Sequence, residues 1–284
     1  MGMAPKELLV SATLLFLLLQ VATANLRHEN VIDRCWRGQS NWANDRQRLP
    51  QCSVGFAGNM SYEVTAYTVT DPSDDPVRPR PGTLRYGATL LPGKVWIDHN
   101  TLSRCEDGLL DVTRSSTDVT ISNNWFHDHD KVMLLGHEDQ HVADRRMRVT
   151  VAFNRFGPNV SQRMPRIRHG YAHVVNNLYD GWREYAIGGS MGPTVKSQGN
   201  LFIASTTDSA NVTRRMPVGD AAGEDWHWHS TGDSFENGAV FKQTGNRVRP
   251  NYNRDQAFPA ASSSEVRSLT KDAGALRCSA GAAC

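Results

Sequence analysis

Val149-Thr150-Val151-Ala152-Phe153-Asn154 and His173-Val174-Val175-Asn176-Asn177 share one pattern: alternating β-branched residues, then Asn, then an aromatic two residues on. The pattern recurs in Val95-Trp96-Ile97-Asp98-His99-Asn100, Val119-Thr120-Ile121-Ser122-Asn123-Asn124 and Val195-Lys196-Ser197-Gln198-Gly199-Asn200. Asn therefore stands at positions 100, 124, 154, 177 and 200, followed by Leu102, Phe126, Phe156, Tyr179 and Phe202. Alternation places Val and Ile on one face of a strand. Asn tolerates the left-handed turn expected where each strand ends, and stacked Asn amides can bond from one repeat to the next. A single unit cannot bury its own face, so units must stack. Strands that recur every twenty to thirty residues fit an all-β fold, a parallel β-helix. A β-sandwich would show strands at closer spacing, and a propeller blade would need more residues.

The flanks read differently. Residues 1–24 have Lys6, an apolar run from Leu8 to Val21 and Ala22-Thr23-Ala24, the order of a secretory signal peptide cut after Ala24. The run is too short to span a bilayer comfortably, so no membrane association is expected after cleavage. Three Asn-x-Ser/Thr sites, at Asn59, Asn159 and Asn211, agree with a secreted glycoprotein. Residues 25–94 form an N-terminal arm rich in turn chemistry, 95–205 the β-helix, and 206–284 a C-terminal arm rich in Ser, Ala, Gly and Asn. Of five cysteines, Cys35 can pair with Cys52 and Cys278 with Cys284, which leaves Cys105 over.

The 31 Lys and Arg against 29 Asp and Glu give a net charge of +2, so any electrostatic specialisation is local. It is visible in Arg145, Arg146, Arg148, Arg155, Arg163, Arg166 and Arg168. Arginine forks hold carboxylate and phosphate oxygens bidentately; the same residues could equally be structural ion pairs. A secreted, disulfide-prone chain disfavours nucleic acid and favours an acidic polysaccharide. Asp107-Gly108-Leu109-Leu110-Asp111 carries two carboxylates of the kind that suit Ca²⁺. On a straight strand they would lie about 13 Å apart, at ~3.3 Å per residue, so the chain must bend near Gly108 if they are to share an ion; a solvated turn is the other reading. His127-Asp128-His129-Asp130 is expected on a surface strand with its His and Asp on opposite faces, and so not to form a zinc site. His137-Glu138-Asp139 is ambiguous.

Several ordered blocks resemble the plant pectate lyases (polysaccharide lyase family 1). They are Asp33-Arg34-Cys35-Trp36-Arg37, Pro81-Gly82-Thr83-Leu84-Arg85-Tyr86, Val95-Trp96-Ile97-Asp98-His99, Val132-Met133-Leu134-Leu135-Gly136-His137, Arg163-Met164-Pro165-Arg166-Ile167-Arg168-His169-Gly170, Tyr185-Ala186-Ile187-Gly188-Gly189 and the terminal Cys278-x5-Cys284. The resemblance implies a right-handed parallel β-helix and Ca²⁺-dependent β-elimination of de-esterified homogalacturonan by a secreted, monomeric cell-wall enzyme. It implies Asp107 and Asp111 as Ca²⁺ ligands, Arg163 as the base, and Lys131 and Arg168 as groups that bind substrate carboxylates, with Arg166 beside them. The sequence also departs from the family. Only Ala88 to Lys94 separate Tyr86-Gly87 from Val95, where the family has several coils and an Asp-rich segment that supplies another Ca²⁺ ligand. Gly38 replaces a family Cys. The expectation is a solenoid shortened on its N-terminal side by an internal deletion. A catalytically inactive pectin-binding wall protein is the alternative. A pectin hydrolase would need paired acids at a glycosidic bond, and none stands beside the basic cluster.

Overall fold

The computed structural model describes residues 29–284 apart from 59, 61–63, 74, 76, 91–92 and 217–225. The signal peptide and the Asn59 site lie outside the described residues. Asn159 and Asn211 are exposed.

Three parallel sheets wrap one core. The first stacks β1 (Val95–Asp98), β4 (Val119–Ser122), β8 (Arg148–Ala152), β12 (Tyr171–Val175), β15 (Thr194–Gln198) and β18 (His227–Thr231). The second stacks β2 (Thr101–Ser103), β5 (Trp125–His127), β9 (Arg155–Phe156), β13 (Leu178–Asp180), β16 (Leu201–Ile203) and β19 (Ser234–Glu236). The third stacks β3 (Leu110–Val112), β7 (Met133–Leu135), β11 (Arg166–Ile167), β14 (Ile187–Gly189) and β17 (Thr213–Arg215). A short extra pair, β6 (His129–Lys131) and β10 (Val160–Gln162), lies beside the third sheet. This is a right-handed parallel β-helix, and its strands continue the ladders beyond residue 205 to Glu236.

The asparagine ladder is present. Asn124 Oδ1 accepts the backbone N–H and the amide of Asn100; Asn154, Asn177 and Asn200 repeat the arrangement coil by coil at 2.8–3.1 Å. Asp233 supplies the last rung through Oδ1, at 2.7 Å from Asn200 N. Each amide also donates to a strand carbonyl, as Asn154 does to Ile121 O. One part of the sequence expectation is corrected. The left-handed residue is the one before each ladder Asn: His99, Asn123, Phe153, Asn176 and Gly199, at φ of 52–61°. The ladder position itself selects Asn because its amide reaches two coils at once. One strand on, Phe126, Phe156, Tyr179, Phe202 and Phe235 stack at centroid spacings of 4.4–5.6 Å.

The first sheet is covered on its outer face too, so the alternation does not show as exposure. Thr120 and Thr150 point outward, yet both are fully buried. Their hydroxyls accept from Ala57 N and Phe56 N, within a 3₁₀ turn at Gly55–Ala57. Gly55 lies at φ +69° with the Thr150 side chain where its Cβ would be, so only glycine fits that approach.

Helix α1 (Val31–Trp36) ties both arms to the first turn of the solenoid. Asn30 caps it and donates to Asn123 Oδ1 and Leu269 O. Asp33 holds His99 Nε2 at 2.9 Å. Arg37 pairs with Asp33 and Asp272 and bonds the Cys284 carbonyl. Disulfides join Cys35 to Cys52 and Cys278 to Cys284, and Cys105 stands outside both, as the pairing in sequence suggests.

Two measurements test these contacts. Asn154→Ala removes an interior rung and strands buried N–H and C=O groups, so it should cost about 2–3 kcal/mol in urea unfolding, with Asn100→Ala at the half-exposed end costing less. The second concerns the clasp below α1. Burial lifts the Asp98 carboxyl from 3.8 to about 6 against the opposing His99 charge. Burial alone would lower His99, but Asp98 and then Asp33 raise it. Both groups bind their protons more tightly when folded, so stability falls as pH rises. That loss begins above the ordinary aspartate value, passes through about 6 and continues above the ordinary histidine value. The thermal midpoint should therefore decline between about pH 5 and about pH 8, and Asp98→Asn should flatten the decline.

Candidate active site

The third sheet sets a row of side chains at one register. Asp111 faces Leu134, Leu134 faces Arg166, Arg166 faces Gly188 and Gly188 faces Arg214. With strands about 4.8 Å apart, Asp111 lies about 10 Å from Arg166 along this row. Beside it, Lys131 on β6 faces Gln162 on β10, and Arg163 follows Gln162 at φ +67°. A bulky residue in that left-handed region is uncommon and marks an imposed backbone conformation.

The chain between the two acids folds back at Gly108. An added Cβ on Gly108 would lie 2.6 Å from Asp111 Oδ1, so the carboxylate folds back over a position that must lack a side chain. Asp111 Oδ1 accepts from Leu134 N at 3.1 Å. Burial chiefly, and also the negative charge of Asp107, hold the Asp111 carboxyl above the usual aspartate range. The Leu134 N–H and the charges of Arg163 and Arg85 oppose that rise. Asp107 is exposed and pairs with Lys131 Nζ at 3.5 Å. Among the described residues no group of three or more His, Cys, Asp or Glu could hold a metal ion.

The cluster of seven arginines divides in two. Arg163, Arg166 and Arg168 belong to this face. Burial, with the positive charges of Arg168 and Arg163, pushes the Arg166 guanidinium below the usual arginine range. The Nε atoms of Arg163 and Arg166 are buried without a partner. The other four do not join them. Arg145 and Arg146 are exposed on the 3₁₀ segment Val142–Arg146. Arg148 pairs with Asp118 and lies over the Phe56 ring; Arg155 reaches Asp180 and covers Trp125. The His127–Asp130 run is not a single strand either. Asp128, at φ +49°, turns the corner between β5 and β6 and bonds His127 Nδ1.

Further groups line the same face and were not singled out from sequence. Tyr185 donates to Gln162 Oε1 at 3.1 Å, and Arg214 covers the Tyr185 ring while it pairs with Glu184 at 2.8 Å. Counting on by the repeat from Asp111, Leu134 and Arg166 leads to Gly188 and Arg214, so the periodicity could have found Arg214.

A pectate lyase family model matches residues 91–220. The chain is 39% identical over 368 aligned positions to "Pectate lyase 1" of Chamaecyparis obtusa, covering 95% of this chain and 98% of that protein. It is 37% identical over 349 positions to "Pectate lyase" of Zinnia elegans, covering 90% and 87%. These alignments are longer than the chain's 284 residues, so the relatives carry segments that it lacks. The crystal structure of Jun a 1, the major allergen from cedar pollen, superposes with a TM-score of 0.73 at 37% identity, covering 87% of this chain and all of that one. In its parallel coils, its motifs and its relatives, the chain belongs to the pectate lyase family.

Proposed function

We propose that this protein cleaves de-esterified homogalacturonan by Ca²⁺-dependent β-elimination, as a secreted enzyme of the plant cell wall. The observation that carries the reading is the convergence of an acid pair, Asp107 and Asp111, with Lys131, Arg163, Arg166 and Arg168 on one face of the solenoid. A neutral-polymer site has no use for that concentration of cations, whereas each uronate of pectate carries a carboxylate that an arginine fork matches.

Asp107 and Asp111 would hold Ca²⁺, a hard cation that takes six to eight oxygens; water and substrate carboxylate would complete the shell. Bound there, the ion would draw charge from the uronate carboxylate and acidify the neighbouring C5–H. The chain's own residues do the rest. Lys131, Arg166 and Arg168 bind carboxylates along the polymer and stabilise the negative charge that develops as C5 loses its proton. Arg163 takes that proton, the C5–C4 double bond forms, and the glycosidic oxygen leaves C4. A guanidine accepts a proton only in its neutral form, which free arginine reaches above about pH 12. Arg166 stands within electrostatic reach of Arg163. The backbone of Arg163 agrees with such a role, since a left-handed φ in a bulky residue is the kind of imposed conformation that clusters at functional sites.

A binding protein without turnover would use the same cationic face. Ultraviolet absorbance of the unsaturated uronate that elimination leaves separates the two readings. Wild-type protein on polygalacturonate should give a chelator-sensitive rise, and Arg163→Lys should lose at least about a hundredfold in kcat, the scale of proton-transfer catalysis. Folded protein that gives no rise at millimolar Ca²⁺, or an Arg163→Lys enzyme with wild-type turnover, would remove the lyase mechanism.

A further inference from the structure

Arg168 differs from its two neighbours in how its side chain is held. Nε donates to Asp139 Oδ1 at 3.2 Å and Nη1 donates to Gly136 O at 3.0 Å. The stem passes over Gly136, where an added Cβ would lie 2.9 Å from Arg168 Cβ. Among the described residues nothing bonds Nη2. One edge of the fork is thus bound to the protein, and the Nη2 end stays free for a ligand. Arg163 and Arg166 have no such support at Nε.

Asp139 is fixed in turn from three sides. Its Oδ1 also accepts the Ser190 hydroxyl at 2.8 Å, which brings in the end of the next coil. Its backbone carbonyl meets His169 Nε2 at 2.9 Å, and His169 is 1% exposed. The loop that carries it is pinned by Asp144, fully buried, whose carboxylate accepts from His137 N and Ser115 N. A carboxylate so anchored orients a guanidinium, because rotation about the Arg168 side chain would break two bonds to the scaffold at once.

We infer that Asp139, held by Ser190 and His169, is a positioning residue that presents the Nη2 end of Arg168 to a uronate carboxylate of the substrate. The inference rests on the functional reading above and extends it to a residue that touches no reacting atom. Its sign is unusual. By charge alone, removing a carboxylate from beside a polyanion groove should tighten substrate binding. If Asp139 acts through Arg168, removing it should weaken binding instead, since a free Arg168 must be ordered by each ligand.

Titration of trigalacturonate into the Arg163→Lys protein reads affinity with the ligand intact, alongside a wild-type lyase assay. In that parent, Asp139→Ala should weaken binding about tenfold, whereas Asp139→Asn, whose amide oxygen accepts the same two bonds, should stay within about twofold. Ser190→Ala, a milder change that leaves the loop in place, should cost about two- to threefold. In an Arg168→Ala background Asp139→Ala should have no further effect, because its influence runs through Arg168. Unchanged or tighter binding by Asp139→Ala, or a full additional loss in the Arg168→Ala background, overturns the inference while wild-type lyase activity keeps the functional reading. A parent that binds no trigalacturonate, together with an inactive wild type, overturns both.

Discussion

Register between coils is the constraint on which the rest depends. A parallel β-helix leaves each coil with two open edges, and backbone bonds alone would tolerate a slip by two residues. The Asn100–Asn124–Asn154–Asn177–Asn200 ladder, closed by Asp233, does not. Each amide oxygen accepts twice from the preceding coil, and each amide nitrogen returns to strand carbonyls. A slip would strand these groups in a dry interior, where each unpaired polar atom costs about 1–3 kcal/mol. The stacked Phe126, Phe156, Tyr179 and Phe202 rings hold the same register by shape.

That register makes the chemistry. Asp111, Arg166 and Arg214 are far apart in sequence but successively two strands apart in space, because the third sheet repeats the spacing of the ladder. Acid at one end and base-rich surface in the middle follow from which coil carries which residue. The like charges of Arg163, Arg166 and Arg168 are costly to gather, as the lowered Arg166 shows. Asp139 offsets part of that cost, and an anionic ligand offsets more.

The N-terminal end of the solenoid is closed by the residues that precede it. β1, β2 and β3 each end their sheet. The residues preceding them cover the outer face of the first sheet through Phe56 and Ala57 and clasp its turn through Asn30 and Asp33. Asp111 therefore sits in the terminal coil, on a strand with a neighbour on one side only, and Asp107 in the turn before it.

The sequence by itself determined the solenoid, its ladder and aromatic stack, and both disulfides, because repetition is a one-dimensional signal and each repeat carries the same physical instruction. It also held the charged residues of the groove. Several matters needed three dimensions. The left-handed residue is set by how each strand turns, so it fell one position before the Asn that sequence singled out. The separation of Arg163, Arg166 and Arg168 from Arg148 and Arg155 depends on which sheet each strand joins. The return of the Asp111 carboxylate over Gly108 depends on a bend there, and the grip of Asp139 on Arg168 on a loop closing over a neighbouring coil. Periodicity fixes which residues stack; only the folded chain fixes where the irregular turns between them deliver their side chains.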